Sequence, residues 1–138
     1  QKFNNFQINT NGQKLYEFTD QTTNWIKKNK FKNGILNLSI QHTSASLIIQ
    51  ENADPDVQTD LINYFNNLAP MDDKLYIHNT EGKDDMPAHI KSALTNNQIS
   101  LSIKNNKLLL GTWQGIYLFE HRLNPQTRMV IHHFIGDI

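Results

Sequence analysis

The sequence contains no cysteine among its 138 residues. This absence excludes disulfides, thiolate metal sites and cysteine nucleophiles, and it fits a reducing compartment, so we expect a cytoplasmic protein. No apolar run is long enough to cross a bilayer, and we expect no membrane partner. The chain also has no excess of positive or negative charge, since 13 basic residues balance 13 acidic ones. That balance removes the simplest argument for a nucleic-acid partner.

Low-complexity tracts, internal repeats and linker-like segments are also missing, so we expect residues 1–138 to form one domain. Hydrophobic residues make up 38% of the chain, which is enough for a core in a domain of this size. The sequence carries no GxGxxG, P-loop or HExxH signature. It therefore implies no organic cofactor.

Several short segments alternate apolar and polar residues, which is typical of strands with one buried face. In the clearest of them, Leu36, Leu38 and Ile40 share a face. The pair Asn11-Gly12 predicts a hairpin between the two N-terminal segments, and the Asn pair within 104–107 predicts a second turn.

A repeat of three to four residues predicts three helices. The first covers 20–29, and the second runs from Pro55 to Leu68 with Asp54 as its N-cap. The third follows Asp84, and its apolar stripe is expected to contain Met86, Ile90, Ala93 and Leu94. We therefore predict an α+β fold with a mixed, mostly antiparallel sheet or β-sandwich-like core and about three flanking helices.

Three strands end in an ionisable residue on their apolar face, namely His42, Glu51 and Glu120. Burial of an unpaired charge costs several kcal/mol. A strand that runs into solvent explains any one of these residues taken alone. All three together predict strand ends that converge on one polar pocket.

Three histidines are candidate ligands of a divalent ion such as Zn²⁺ or Mg²⁺: His42 at a strand end, His78 in a loop and His89 at a helix edge. Their spacing matches no local metal motif. Surface or hydrogen-bonded histidines therefore remain the alternative.

Two further segments have two readings each. Trp113 and Gln114 lie between two glycines, so Trp113 either walls a pocket for a planar ligand or packs in the core or at an interface. Thr43 and Ser44 either bind a phosphate or close a turn. A serine-hydrolase triad is disfavoured because no G-x-S-x-G elbow is present.

The segments HTSASL, ENADPDV, DDMPAHIKS, LGTWQGI and EHR resemble the YjbQ family, also called UPF0047, and the resemblance extends over about residues 15–136. It implies a compact α+β domain that assembles as a homotrimer. It also implies a weak thiamine-phosphate synthase activity, which joins a pyrimidine diphosphate to a thiazole phosphate and releases pyrophosphate.

The resemblance implies functional roles for thirteen residues of this chain. As catalytic groups it implies His42, Glu51, His89 and Glu120. For binding a small phosphorylated metabolite, phosphate or sulfate it implies Thr43, Ser44, Asn52, Asp54, Asp84, Trp113, Gln114 and Arg128, and for a metal His42, His78 and His89. The alternative is a non-catalytic trimeric module that binds a metal or a metabolite.

Overall fold

The computed structural model describes residues 1–138, which form eight strands and three α-helices. The strands are β1 (Lys2–Thr10), β2 (Lys14–Glu17), β3 (Gly34–Ile40), β4 (Ala45–Glu51), β5 (Gln98–Lys104), β6 (Lys107–Leu108), β7 (Gln114–Glu120) and β8 (Gln126–Gly136). The helices are α1 (Thr19–Lys28), α2 (Pro55–Leu68) and α3 (Asp85–Leu94), with a short 3₁₀ turn at Asp73–Leu75. The predicted α+β class is confirmed. None of the helices is long and apolar enough to cross a membrane.

Two antiparallel sheets enclose the main core. The larger sheet has the strand order β1-β8-β3-β5-β6, and the smaller has the order β2-β7-β4. Helix α1 completes the core with Trp25 and Ile26. Strand β3 contributes Leu36, Leu38 and Ile40, the face that the alternation predicted.

Helix α2 covers the other face of the smaller sheet. Its side chains Leu61 and Phe65 pack against Tyr117 and Phe119 of β7. The predicted start of this helix is confirmed, because the Asp54 carboxylate accepts a hydrogen bond from a backbone N–H of the first turn. Strand β7 is therefore buried on both faces, which explains its nearly continuous run of buried residues.

The turn predicted within 104–107 is confirmed, and the hairpin predicted at Asn11-Gly12 is wrong. Asn105 and Asn106 both have positive φ and join β5 to β6. The turn at Gly12, whose φ is +92°, joins two strands that do not pair with each other: β1 pairs with β8, and β2 pairs with β7. A turn signal fixes the local backbone but not the partner strand, so the chain crosses here from one sheet to the other.

The apolar stripe predicted for α3 is also wrong. Leu94 is 58% exposed, whereas the face turned inward carries Asp85, Ala88 and Lys91. The inward charges have partners: Asp85 meets Arg122, and the Lys91 ammonium donates to an α2 amide. Because a charge with a hydrogen-bond partner tolerates burial, a polar face of this helix could pack where periodicity indicated an apolar one.

Two histidines are fully buried in uncharged form. His132 lies in the main core, where its Nε2 is 2.9 Å from the Thr22 hydroxyl and its Nδ1 has no partner. His121 lies on the α2 side, with Nε2 2.9 Å from the Ser46 hydroxyl. Burial lowers the pKa of His132 to about 4; burial, together with nearby positive charge, lowers that of His121 to about 3.

We expect the free energy of unfolding to fall as the pH is lowered from 6.5 to about 4. In this range the unfolded chain takes up protons that the folded chain does not bind. This lowers the free energy of unfolding by about 1.4 kcal/mol per pH unit for each buried histidine. Urea denaturation at several pH values measures the slope. His132→Gln should reduce the slope by about 1.4 kcal/mol per pH unit, the contribution of one proton. His133→Gln, which changes the outward-facing neighbour, should leave the slope unchanged. An unchanged slope in His132→Gln would refute this explanation.

Candidate metal centre

Three side chains meet at the start of α3: His78, Asp85 and His89. One ligand atom from each lies within 4.8 Å of the other two. The Asp85 Oδ2 atom is 2.7 Å from His78 Nε2 and 3.2 Å from His89 Nε2. The helix supplies Asp85 and His89, which lie one turn apart on the same face. The loop before the helix supplies His78.

One ligand of the centre is buried and the other two are accessible to solvent. The Asp85 side chain is 4% exposed, whereas the imidazoles of His78 and His89 are 44% and 33% exposed. An ion can therefore reach the three ligand atoms from solvent, and ligands other than protein can complete its coordination.

The hydrogen bonds around His89 fix its tautomer. Its Nδ1 is 3.0 Å from the carbonyl oxygen of Thr43, which can only accept, so Nδ1–H donates. In a neutral ring, Nε2 then carries the lone pair, and Nε2 is the atom that faces Asp85. A backbone carbonyl behind the distal ring nitrogen is the usual support of a metal-binding histidine.

Asp85 is held as a carboxylate. Burial alone would raise its pKa, but the hydrogen bond from His78 and the positive charges around it, Arg122 among them, outweigh burial and hold the pKa below the usual range. The neighbouring Asp84 behaves in the same way: burial is outweighed by a backbone N–H of Leu123 and by Arg122.

This donor set fits zinc better than magnesium. Two imidazole nitrogens and one carboxylate oxygen are the ligands of many zinc sites with open positions, whereas magnesium prefers oxygen ligands and near-ideal octahedral geometry. Glu81 adds an exposed carboxylate whose Oε2 is 3.7 Å from His78 Nε2. The predicted histidines His78 and His89 thus come together, and His42 lies outside the cluster.

A cleft of about 310 Å³ adjoins the centre at His89. Its lining is polar except for one alanine and consists of His42, Thr43, His89, Ser92, Ala93 and Asn97. His42 and Thr43 were predicted to line the site, and they lie here. Ser92 and Asn97 were not predicted, because nothing in their spacing distinguishes them from ordinary surface residues.

Beneath the cleft, a buried ion pair joins Glu120 to Arg128. The guanidinium donates to both carboxylate oxygens, at 2.8 and 2.6 Å, and also to the Ser44 hydroxyl at 2.9 Å. Arg128 is only 4% exposed. Its donors are engaged inside the protein, so the geometry gives no support to a direct contact between Arg128 and a phosphate group. Ser44 is likewise a partner of Arg128.

Both ring nitrogens of His42 face donors of the protein. Its Nε2 accepts from the backbone N–H of Met129 at 3.2 Å, and its Nδ1 is 3.4 Å from the Arg128 guanidinium. Burial and the Arg128 charge lower the pKa of His42, although Glu120 opposes this effect. The ring is a neutral wall of the cleft. A neutral imidazole has a single lone pair, so it accepts from only one of these two donors, and that bond leaves the ring without a free basic nitrogen.

A second group of predicted residues lies at the opposite end of the smaller sheet. Glu51 pairs with Gln114, whereas Ala45, at the start of the same strand, pairs with Glu120. Six residues of strand separate these ends, which is roughly 20 Å. The prediction that Glu51 converges with His42 and Glu120 within one chain is therefore wrong. Because β4 runs antiparallel to its neighbour β7, its start, not its end, lies beside Glu120.

The remaining predicted residues divide between the two ends. Asn52 and Trp113 lie with Glu51, where the Asn52 N–H donates to the Trp113 carbonyl and the indole is 63% exposed. Asp54 caps α2. Asp84 lies beside the metal centre but faces inward, where it binds Arg122 and the backbone N–H of Leu123.

Sequence reasoning missed Asp85 of the centre and Arg122 behind it. The spacing of Asp85 and His89 at i and i+4 on a helix was a usable signal, because it places both side chains on one face. No comparable signal existed for Arg122, whose role depends on contacts across the fold.

Comparison with known proteins places these residues in a family. The family profile described as UPF0047 protein YjbQ-like matches residues 4–137. The UPF0047 protein sll1880 of Synechocystis is 50% identical over 131 residues, which cover 95% of this chain and 89% of that protein. The UPF0047 protein YjbQ of Salmonella typhimurium is 44% identical over 104 residues, 75% of each chain.

Solved structures agree with the sequence relatives. An uncharacterized conserved protein of the YjbQ/UPF0047 family from Clostridium acetobutylicum superimposes with a TM-score of 0.85 at 33% identity, over 95% of this chain and 98% of that one. The hypothetical protein APE1520 from Aeropyrum pernix shares the fold, with a TM-score of 0.90 at 22% identity over 99% and 100% of the two chains. The chain therefore belongs to the YjbQ/UPF0047 family, and the resemblance read from its motifs is confirmed.

Proposed function

We propose that this protein binds a divalent metal ion, with zinc favoured, and acts as an enzyme on a small phosphorylated substrate held in the adjoining cleft. The observation that carries the proposal is the meeting of His78, Asp85 and His89 beside that cleft. A mostly buried carboxylate with two accessible imidazoles leaves coordination positions open, as in catalytic metal sites rather than structural ones.

The residues of the chain would have the following roles. His78, Asp85 and His89 would hold the ion, which would neutralise charge that develops on a phosphate or diphosphate group. Ser92 and Asn97 offer hydroxyl and amide groups to the substrate in the cleft. In this proposal His89 is a ligand and not a general acid–base group.

Two charged residues implied by the resemblance act indirectly in this proposal. Glu120 and Arg128 are buried and bonded to each other, so they position the cleft wall through Ser44 and His42. Their contribution is geometric: they hold the wall where the substrate must fit.

The specific reaction that we propose to test first is thiamine-phosphate synthesis, which the resemblance implies. The thiazole nitrogen would attack the methylene carbon of the pyrimidine diphosphate, forming a C–N bond as the C–O bond to the diphosphate breaks. Departure of a diphosphate requires neutralisation of its charge. The cleft lining contains no lysine or arginine, so a bound divalent ion would be the source of positive charge there.

A second candidate is a non-catalytic module that binds a metal or metabolite. The observation that favours it is the lack of a free titratable side chain in the cleft. Of the two histidines in its lining, His42 gives its one lone pair to a donor of the protein, and His89 belongs to the metal centre. Such a cleft can bind a molecule without the proton transfers that most reactions need.

We retain a homotrimer as part of the proposal, since the resemblance implies it. The surface offers large apolar side chains that an assembly would cover, among them Ile77 next to the metal ligand His78, and Trp113 at the far end of the smaller sheet.

Untagged wild-type protein should bind one equivalent of zinc per chain. His78→Ala, His89→Ala or Asp85→Asn should weaken binding by at least about 10–100-fold, because loss of a direct ligand costs no less than loss of a supporting residue. Titration against a zinc-binding dye measures the affinity. His133→Ala, which removes a histidine on the outer face of the larger sheet, is the matched control. Wild-type protein that binds no zinc would refute the proposal.

Metal-loaded protein should form thiamine phosphate from the pyrimidine diphosphate and the thiazole phosphate, and metal-stripped protein should not. Chromatographic detection of the product measures turnover. His89→Ala should abolish turnover, whereas Glu51→Gln, about 20 Å away along the sheet, should retain it. Zinc binding without turnover of any phosphorylated substrate tested would favour the binding module over the enzyme.

A further inference from the structure

Arg122 lies directly behind the metal centre, and the proposed function gives it no role. Its Nη1 donates to Asp85 Oδ1 at 2.6 Å, and its Nε donates to Asp84 Oδ2 at 2.9 Å. Its Nη2 donates to the backbone carbonyl of Glu81 at 3.1 Å. The side chain is 19% exposed, so these contacts are largely shielded from water.

The contact with Asp85 determines which carboxylate oxygen is free. Arg122 binds Oδ1, and the other oxygen, Oδ2, faces both imidazoles of the centre. The guanidinium is planar and rigid, so a hydrogen bond to one oxygen also fixes the plane of the carboxylate. An ion at the centre would therefore meet one oxygen of Asp85 at a fixed position.

The same guanidinium holds the parts of the chain that supply the other ligands. The Glu81 carbonyl belongs to the loop that carries His78, and Asp84 is the N-cap residue of the helix that carries His89. Through these hydrogen bonds the Arg122 side chain connects the His78 loop to the start of α3.

Arg122 is itself fixed by the interior. Its backbone N–H donates to the buried Glu120 carboxylate at 3.2 Å, and the N–H of Leu123 donates to Asp84 at 2.9 Å. The guanidinium therefore extends from a fixed backbone, so its own position determines where the carboxylates of Asp84 and Asp85 lie.

We propose that Arg122 is a positioning residue of the metal centre: it presents one oxygen of Asp85 to the ion and holds the His78 loop in register with α3. This inference rests on the proposed metal binding. It concerns a residue that would not itself touch the ion.

Electrostatics alone predicts the opposite effect of Arg122. A positive guanidinium close to a cation site repels the cation, so its removal should tighten metal binding if charge were its only influence. If Arg122 positions Asp85, its removal should weaken binding instead. The sign of the change in affinity therefore separates the two accounts.

The experiment compares Arg122→Gln, Arg122→Lys and Lys83→Gln with wild-type protein. Zinc affinity is measured by competition with a chromophoric chelator, and the visible spectrum of cobalt-loaded protein reports the coordination of the ion. We expect Arg122→Gln to lose about 10–100-fold in affinity, the range found for residues that support metal ligands, and to change the cobalt spectrum. Arg122→Lys, which keeps the charge and one donor, should recover part of the affinity.

Lys83→Gln is the control for the loss of one positive charge on the same loop, since Lys83 is exposed. It should stay within about twofold of wild type, as expected for a screened surface charge. If Arg122→Gln does not fold, Asp84→Asn tests the same inference through the cobalt spectrum, because it keeps all three ligands and removes one anchor of the guanidinium. A changed spectrum is expected; the affinity does not decide here, since loss of the Asp84 charge weakens cation binding by itself.

Equal or tighter zinc binding by folded Arg122→Gln, or an unchanged cobalt spectrum in Asp84→Asn where that variant replaces it, would overturn the positioning role while leaving the metal centre in place. Wild-type protein that binds neither zinc nor cobalt would instead refute the proposed function.

Discussion

The ion pair between Glu120 and Arg128 joins the two sheets of this protein. Glu120 ends β7 of the smaller sheet, Arg128 lies on β8 of the larger one, and their side chains are 0% and 5% exposed. Glu120 also accepts from the Thr10 hydroxyl at 2.6 Å, which brings in β1. Removal of one partner of such a buried pair typically costs about 3–5 kcal/mol, because the other charge stays buried alone.

Both residues of this pair make contacts that position the candidate site. Arg128 reaches Ser44 and His42, so it fixes the wall of the cleft. Glu120 accepts from the backbone N–H of Arg122, whose side chain holds Asp85. The cleft and the metal centre therefore share one support, which suits the site to bind an ion in a fixed geometry.

Periodicity predicted the elements whose packing follows one apolar face, such as β3 with Leu36 and Leu38, and α2 with its Asp54 cap. It predicted helix α3 but not its inward face, because that face buries Asp85 and Lys91 with hydrogen-bond partners. Histidine chemistry indicated His78 and His89 as metal ligands, and the i, i+4 spacing of Asp85 and His89 could have added Asp85. Which oxygen of Asp85 faces the histidines depends on its contact with Arg122, which lies far away in the sequence. The pairing of β4 with β7, which moves Glu51 away from the cleft, also depends on tertiary structure that no local pattern encodes.

The central claim is that His78, Asp85 and His89 form a metal centre. Diffraction from crystals of untagged protein grown with zinc, recorded on both sides of the zinc absorption edge, tests it most directly. We expect one anomalous peak per chain at about 2.0–2.2 Å from His78 Nε2, His89 Nε2 and Asp85 Oδ2. Zinc bound only at other residues, or no anomalous peak at these three atoms, would contradict it.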